Sequence, residues 1–110
     1  MKRLVLSIAL LSFIATSCTS SEETIEITCG STTPSYATDV VPVLQQKCIS
    51  CHSDAMPRGN VSLGSYTKVY TNKSATRNIF ASSTAHEGVS LTTAERNTVC
   101  CWIDSNAPNN

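Results

Sequence analysis

Apolar residues recur at helical spacing in two parts of the chain. In the first part, four of them share one face of a predicted helix. They are Val40, Val43, Leu44 and Cys48. Thr38 or Asp39 is the predicted N-cap, and Pro42 is compatible with the first turn because the backbone amide it lacks would be unpaired there. The helix therefore leads directly into the segment that begins at Cys48.

A closing helix is predicted near the carboxyl end. Thr92 and Glu95 have the spacing of a capping box, in which each side chain accepts a hydrogen bond from the backbone amide of the other residue. The apolar stripe of this helix is Val99, Trp102 and Ile103. The turn residues before Pro108 end it, and the first helix is its predicted packing partner.

Between the two helices, the pattern predicts only short helical pieces. Tyr66, Val69 and Tyr70 form one amphipathic turn, and residues 78–81 form another. Ile25 and Ile27 alternate with polar residues, which is compatible with a short edge strand. No other run alternates convincingly, so the predicted fold class is mostly α.

The first residues predict export. Lys2 and Arg3 precede a mainly apolar stretch, residues 4–15, which has the length of a signal-peptide core and is too short for a permanent membrane span. Small residues lead into Cys18, and this arrangement resembles a bacterial lipoprotein processing site in which the cysteine becomes the lipidated first residue. Residues 1–17 are therefore predicted as a lipoprotein signal peptide. The expected location is the outer membrane, facing the periplasm or the cell surface, and ordinary cleavage to a soluble periplasmic protein is the alternative.

Composition divides the remaining chain. Residues 18–35 are rich in Ser, Thr and Glu and predict a flexible acidic tether, which leaves residues 36–110 as one folded domain. A domain of that size has a marginal core. The whole chain carries 8 Lys and Arg against 8 Asp and Glu, so it has no basic excess and we expect no nucleic-acid partner.

The most informative chemistry is in the segment Cys48-Ile49-Ser50-Cys51-His52, called here the CxxCH motif. Two cysteines three positions apart, followed at once by a histidine, are the attachment signature of a c-type haem. Cys48 and Cys51 would bond the vinyl groups of the porphyrin, and His52 would ligate the iron from one face. One covalent haem c is therefore the predicted cofactor, and a buried porphyrin would supply apolar surface that the small domain lacks.

Three other interpretations of the motif stay open. A thioredoxin-like redox pair would need a preceding strand in a βαβ unit, whereas a helix is predicted here. A zinc site could use Cys48, Cys51 and His52 with a further ligand. The further ligand would be His86, Cys100 or Cys101. A plain disulfide between Cys48 and Cys51 would make the adjacent histidine a coincidence.

A helix that runs into the CxxCH motif and a closing helix that contains Cys101-Trp102-Ile103-Asp104 resemble class I cytochromes c. Other phrases, including Tyr36-Ala37-Thr38-Asp39 and Val61-Ser62-Leu63-Gly64, are similar to the one-haem domains of small Bacteroidota lipoproteins. The resemblance implies a few helices packed around one covalently bound haem. It also implies one-electron transfer rather than enzymatic catalysis, with redox proteins as donors and acceptors and a lipid anchor in the membrane.

The second axial ligand of the iron is not determined by the motif. Proteins of the resembled family usually place Met-Pro in the loop before the last helix, and this chain has none there. His86 lies in that region and is the first candidate, and Met56 is the second. A vacant position would let peroxide or carbon monoxide bind the iron, so a haem peroxidase or a gas-binding sensor is the alternative function.

Three cysteines remain after lipid and haem attachment. They are Cys29, Cys100 and Cys101. Thiols tend to pair in an oxidising compartment, so Cys29 is predicted to bond Cys100 or Cys101. Adjacent residues of a helix point about 100° apart, so the last two cannot both face the same partner.

Overall fold

The computed structural model describes residues 25–110. The predicted signal peptide, the predicted lipidated Cys18 and the first part of the tether lie outside the described residues. More than half of the described residues are helical and none of them forms a β-strand, which confirms the prediction of a mostly α chain. Within residues 25–110, no helix combines the length and the apolar content that crossing a bilayer requires.

Five α-helices follow one another in the described part of the chain. They are α1 (Val41–Lys47), α2 (Ile49–His52), α3 (Tyr66–Thr71), α4 (Lys73–Ala81) and α5 (Thr93–Asp104). A π-helical turn, Tyr36–Val40, leads into α1, and a 3-10 turn, Arg58–Asn60, lies between α2 and α3.

The first helical unit begins earlier than predicted, and Ser35 rather than Thr38 or Asp39 is its N-cap. The Ser35 hydroxyl accepts a hydrogen bond from the Thr38 amide at 3.4 Å, and the Asp39 carboxylate accepts one from the Ser35 amide at 2.7 Å. Asp39 therefore contributes to the cap from within the helix. Asn110 also reaches this end, because its side-chain oxygen accepts a hydrogen bond from the Tyr36 amide at 2.8 Å.

The closing helix, α5, begins as predicted. The Thr92 hydroxyl accepts from the Glu95 amide at 3.2 Å and the Glu95 carboxylate accepts from the Thr92 amide at 2.8 Å, which completes the capping box. The predicted stripe of Val99, Trp102 and Ile103 is buried. After α5, Asn106 and Ala107 have φ values of 74° and 48°, and this left-handed backbone ends the helix.

The main packing partner of α5 is α4. The π-helical turn, with which the first helical unit begins, also packs against α5, so the predicted first helix is a second partner of α5 rather than the main one. The sequence predicted only residues 78–81 as helical in this region, because the buried positions of α4 include the polar Thr76 beside Phe80. Arg77 on α4 donates two hydrogen bonds to Asp104 on α5, at 2.6 and 2.8 Å, and joins the two helices at their surface.

The core lies between the π-helical turn, α1, α4 and α5. Trp102 is fully buried, its ring centroid is 5.3 Å from that of Tyr36, and its indole amine donates to the Pro108 carbonyl at 2.9 Å. Tyr66 packs against the same side and its hydroxyl donates to the Ala107 carbonyl at 2.8 Å. These contacts hold the carboxyl-terminal segment against the domain.

Residues 25–35 are attached to the domain, which differs from the flexible tether that their composition predicts. Ile27 packs against the core, and the Ile25 amide donates to the Ala81 carbonyl at 3.2 Å without forming the expected strand. Cys29 is joined to Cys101 by a disulfide with a Cα–Cα distance of 5.5 Å, which is one of the two pairings that the sequence left open. Composition could not predict this attachment, because the partners of residues 25–35 lie on helices that are distant in the sequence.

Candidate functional site

The CxxCH motif occupies a kink and one helical turn. The Cys48 amide donates to the Leu44 carbonyl at 2.8 Å and so continues the bonding of α1, but its φ of −122° breaks the helix. The Cys51 and His52 amides then both donate to the Cys48 carbonyl, at 3.1 and 3.0 Å. Both motif cysteines nevertheless border the same small cavity beside His52.

His52 is oriented by the chain that returns past it. Its Nδ1 atom lies 2.8 Å from the Val61 carbonyl oxygen, and the Leu63 amide donates to the His52 carbonyl at 2.8 Å. A carbonyl oxygen only accepts hydrogen bonds, so Nδ1 is the donor, and in the neutral imidazole the free lone pair is then on Nε2. Histidine ligands of metals are typically held in this way.

An apolar cleft of about 210 Å³ opens beside His52. We call this space the apolar cleft. It is lined by Cys48, His52, Val61, Leu63, Ala75, Thr76, Ile79, Phe80 and His86. A narrower cavity of about 60 Å³ borders both histidines as well and extends to Cys51 and Leu91. The space therefore continues past the two imidazoles toward both motif cysteines.

His86 faces His52 across this space. The centroids of the two rings are 6.2 Å apart, and the ring planes are inclined by 23°. With metal–imidazole bonds of about 2.0 Å and about 1.1 Å from ring nitrogen to centroid, one metal ion held between two imidazoles separates their centroids by about 6 Å. The observed separation of 6.2 Å is close to that value.

A tight turn presents His86. The Val89 amide donates to the His86 carbonyl at 2.8 Å, and Glu87 and Gly88 between them have φ values of 50° and 78°. Two successive positive φ values are those of a type I′ turn. Glycine suits the second position, but a glutamate at the first is uncommon, so the turn could not be predicted from these residues. Glu87 also forms an exposed ion pair with Arg58 at 3.3 Å.

Both motif cysteines are thiols in the structure. Burial, with a smaller contribution from the neighbouring Cys51, raises the pKa of Cys48 from 9.0 to about 11. The nucleophilic cysteine of a redox pair needs a lowered pKa, so this environment disfavours the thioredoxin-like interpretation.

The structure offers little for the zinc interpretation. No group of three or more His, Cys, Asp or Glu side chains within residues 25–110 is arranged to hold a metal ion. Of the further ligands considered, Cys101 is consumed by the disulfide and Cys100 is fully buried in the core. A haem needs fewer ligands from the protein than a zinc ion does, because the porphyrin supplies four nitrogen ligands and the protein adds only the axial ones.

Met56 does not line the apolar cleft. Its side chain is 79% exposed and borders a surface depression with Ser50, Cys51, Pro57 and Arg58, outside the apolar cleft. The chain has too little length between His52 and Met56 to reach the other side of the cleft. Of the two sequence candidates for the second axial position, the structure brings only His86 opposite His52.

Comparisons with protein-family models, with curated proteins and with solved structures found no match for this chain. The chemistry of the site rests on its own residues. These are two facing imidazoles, two thiols on one helical turn and walls that are almost entirely apolar. A flat apolar macrocycle with a metal at its centre fits that set.

Proposed function

We propose that this protein carries one electron at a time through one covalently bound haem c, with His52 and His86 as its two axial ligands. The observation that supports this most is the 6.2 Å spacing of the two imidazole rings across a cleft bordered by Cys48. The resemblance of the CxxCH motif and the closing helix to class I cytochromes c points the same way.

Bound haem supplies a one-electron ferric/ferrous couple. Cys48 and Cys51 would anchor it through thioether bonds. His52 is held in the correct tautomer by the Val61 carbonyl, which also makes its free nitrogen a better donor. The apolar walls contributed by α4 exclude water and so favour the less charged, reduced form.

Occupation of both axial positions by protein side chains is what favours electron transfer. With His86 in place, peroxide or carbon monoxide finds no vacant position on the iron, and both the peroxidase and the gas-sensor function require such a position. Two imidazoles also give a lower reduction potential than a histidine and a methionine would. The proposed partners are redox proteins outside the cytoplasm, reached from a lipid anchor at Cys18.

The test is a spectrum of the protein matured with a haem-attachment system. We expect a mass increase of one haem, a low-spin spectrum in both oxidation states and slow binding of carbon monoxide to the reduced form. His86→Ala should give rapid carbon monoxide binding, because it empties one axial position. Met56→Ala is the matched control and should leave the spectrum as in the wild type.

Two results would contradict the proposal. If the correctly exported protein contains no haem, the proposed cofactor is wrong. Rapid carbon monoxide binding by the wild type would show a vacant axial position and favour the sensor or peroxidase function instead.

A further inference from the structure

The position of the His86 ring depends on the loop that carries it, residues 82–92, between α4 and α5. The tight turn at Glu87 and Gly88 fixes the tip of this loop. The tip can face His52 only if both ends of the loop are held at the right distance from the cleft. A side chain that holds both ends of the loop therefore sets the position of His86.

One side chain, Arg96, reaches both ends of the loop. Its Nη1 atom donates to the Phe80 carbonyl and to the Ser82 carbonyl, each at 2.7 Å, where α4 ends and the loop begins. Its Nε atom donates to the Leu91 carbonyl at 3.4 Å, where the loop ends. Arg96 itself is fixed in the first turns of α5 and is half-buried.

These hydrogen bonds meet a specific need of the backbone. The last carbonyls of a helix have no amide partner within the helix, and α4 ends at Ala81 beside the core. A guanidinium is charged and planar with several donors in a fixed arrangement, so it can satisfy several carbonyls at once. Hydrogen bonds from a charged donor are also stronger than neutral ones.

We propose that Arg96 is a positioning residue for the second axial ligand: by tying residues 80 and 82 to residue 91 it sets the place of His86 opposite His52. This inference rests on the proposed function, because it concerns the same site. Arg96 does not itself line the apolar cleft. Its effect on the iron is exerted through the loop.

Arg77 provides a matched control. It is also an arginine that joins α4 to α5, through two hydrogen bonds to Asp104 at 2.6 and 2.8 Å, but its side chain forms no hydrogen bond with residues 82–92. Loss of either arginine removes a connection between the same two helices. Only loss of Arg96 should release His86.

The experiment compares Arg96→Gln, Arg96→Lys and Arg77→Gln in the haem-containing protein. Amide hydrogen exchange of residues 82–92 reports the loop directly, and the rate of carbon monoxide binding to the reduced protein reports release of His86. We expect both rates to rise about tenfold or more in Arg96→Gln, because three hydrogen bonds from a charged donor are lost. Arg96→Lys should lie between Arg96→Gln and the wild type, since an ammonium keeps the charge but not the planar fork.

Arg77→Gln should keep both rates near those of the wild type even where it lowers the unfolding temperature. Equal rates in the Arg96 and Arg77 variants would overturn the inference, whether both loosen the loop or neither does. If Arg96→Gln fails to fold, the comparison of Arg96→Lys with Arg77→Gln decides in the same way. Rapid carbon monoxide binding by the wild type would instead defeat the proposed function, and the exchange rates would still show whether Arg96 holds the loop.

Discussion

The cysteines of this chain differ in role because their surroundings differ. Cys48 is a half-buried thiol at the edge of the apolar cleft, Cys100 is a fully buried thiol in the core, and Cys101 is bonded to Cys29. A thioether to a porphyrin requires a reduced cysteine beside the cofactor, and among these four only Cys48 is placed in that way. Its raised pKa also protects it from premature oxidation, because the thiolate is the reactive form.

We predict that Cys48 of the haem-free protein reacts slowly with iodoacetamide at neutral pH. Burial raises its pKa from 9.0 to about 11, so at pH 8 its thiolate is about a hundredfold scarcer than in an unfolded chain. The rate should climb as pH approaches the raised value. Because the folded state binds the proton more tightly, the associated stability is present below pH 9.0 and is lost as pH rises toward about 11.

Peptide mass spectrometry after timed alkylation measures this rate at Cys48 itself. The control is the same protein in denaturant, where the thiol should react at its ordinary rate. Equal rates in the folded and unfolded protein would show that the motif is open to water and would argue against a closed cleft.

The ends of α4 and α5 are determined by different interactions. The start of α5 is set by Thr92 and Glu95, which lie within one turn of each other. The extent of α4 depends instead on packing, because Thr76 and Phe80 are buried in the folded domain and a buried threonine does not mark an apolar face. The Thr76 hydroxyl donates a hydrogen bond to the Asn72 carbonyl of the preceding turn at 2.9 Å, so no polar group is left unpaired when Thr76 is buried.

For α5, we predict that Thr92→Ala lowers the free energy of unfolding by about 1 kcal/mol, because an N-cap oxygen is lost. Urea unfolding measures the change. Thr93→Ala, one residue further on and exposed, is the control and should cost far less. An equal cost at both positions would contradict the role of the cap.

The cap should also depend on pH. The hydrogen bond from the Thr92 amide lowers the pKa of Glu95 from its usual 4.5, and the nearby Lys47 lowers it further. The contribution of Glu95 is therefore present above that usual value and is lost as pH falls through the lowered one.

Within residues 25–110, one disulfide closes the domain. The disulfide between Cys29 and Cys101 spans a sequence separation of 72 residues and encloses the CxxCH motif, the apolar cleft and the loop of His86. Asn110 adds hydrogen bonds to Ser35 and Tyr36 near the same entry to the domain. The domain therefore does not depend on its small core alone.

We predict that Cys29→Ser lowers the free energy of unfolding by about 2–5 kcal/mol, because a long loop of the unfolded chain is no longer closed. Urea unfolding of the oxidised protein measures the loss. Cys100→Ala is the control, since it removes a cysteine but keeps the bridge. A non-reduced peptide map should contain Cys29 linked to Cys101, and Cys29 linked to Cys100 would contradict the structure.

Some features of this protein follow from residues that are neighbours along the chain. The CxxCH motif, the capping box of α5 and the stripe of Val99, Trp102 and Ile103 all depend on spacings of three or four residues, so they were readable in the sequence. The mostly α class follows from the same spacings. His86 could be named as a candidate because the chain has only 2 histidines and the other belongs to the motif.

Other features required the folded chain. The Val61 carbonyl at His52, the packing of α4 on α5 and the attachment of residues 25–35 all join segments that are distant in sequence. The same holds for the opposition of the two imidazoles, which needs a left-handed turn, an arginine on the next helix and a cleft from α4 to coincide. Hydrophobic periodicity indicates which face of an element is buried, but it does not indicate which element packs against that face. The arrangement of the site could therefore be known only from the folded structure.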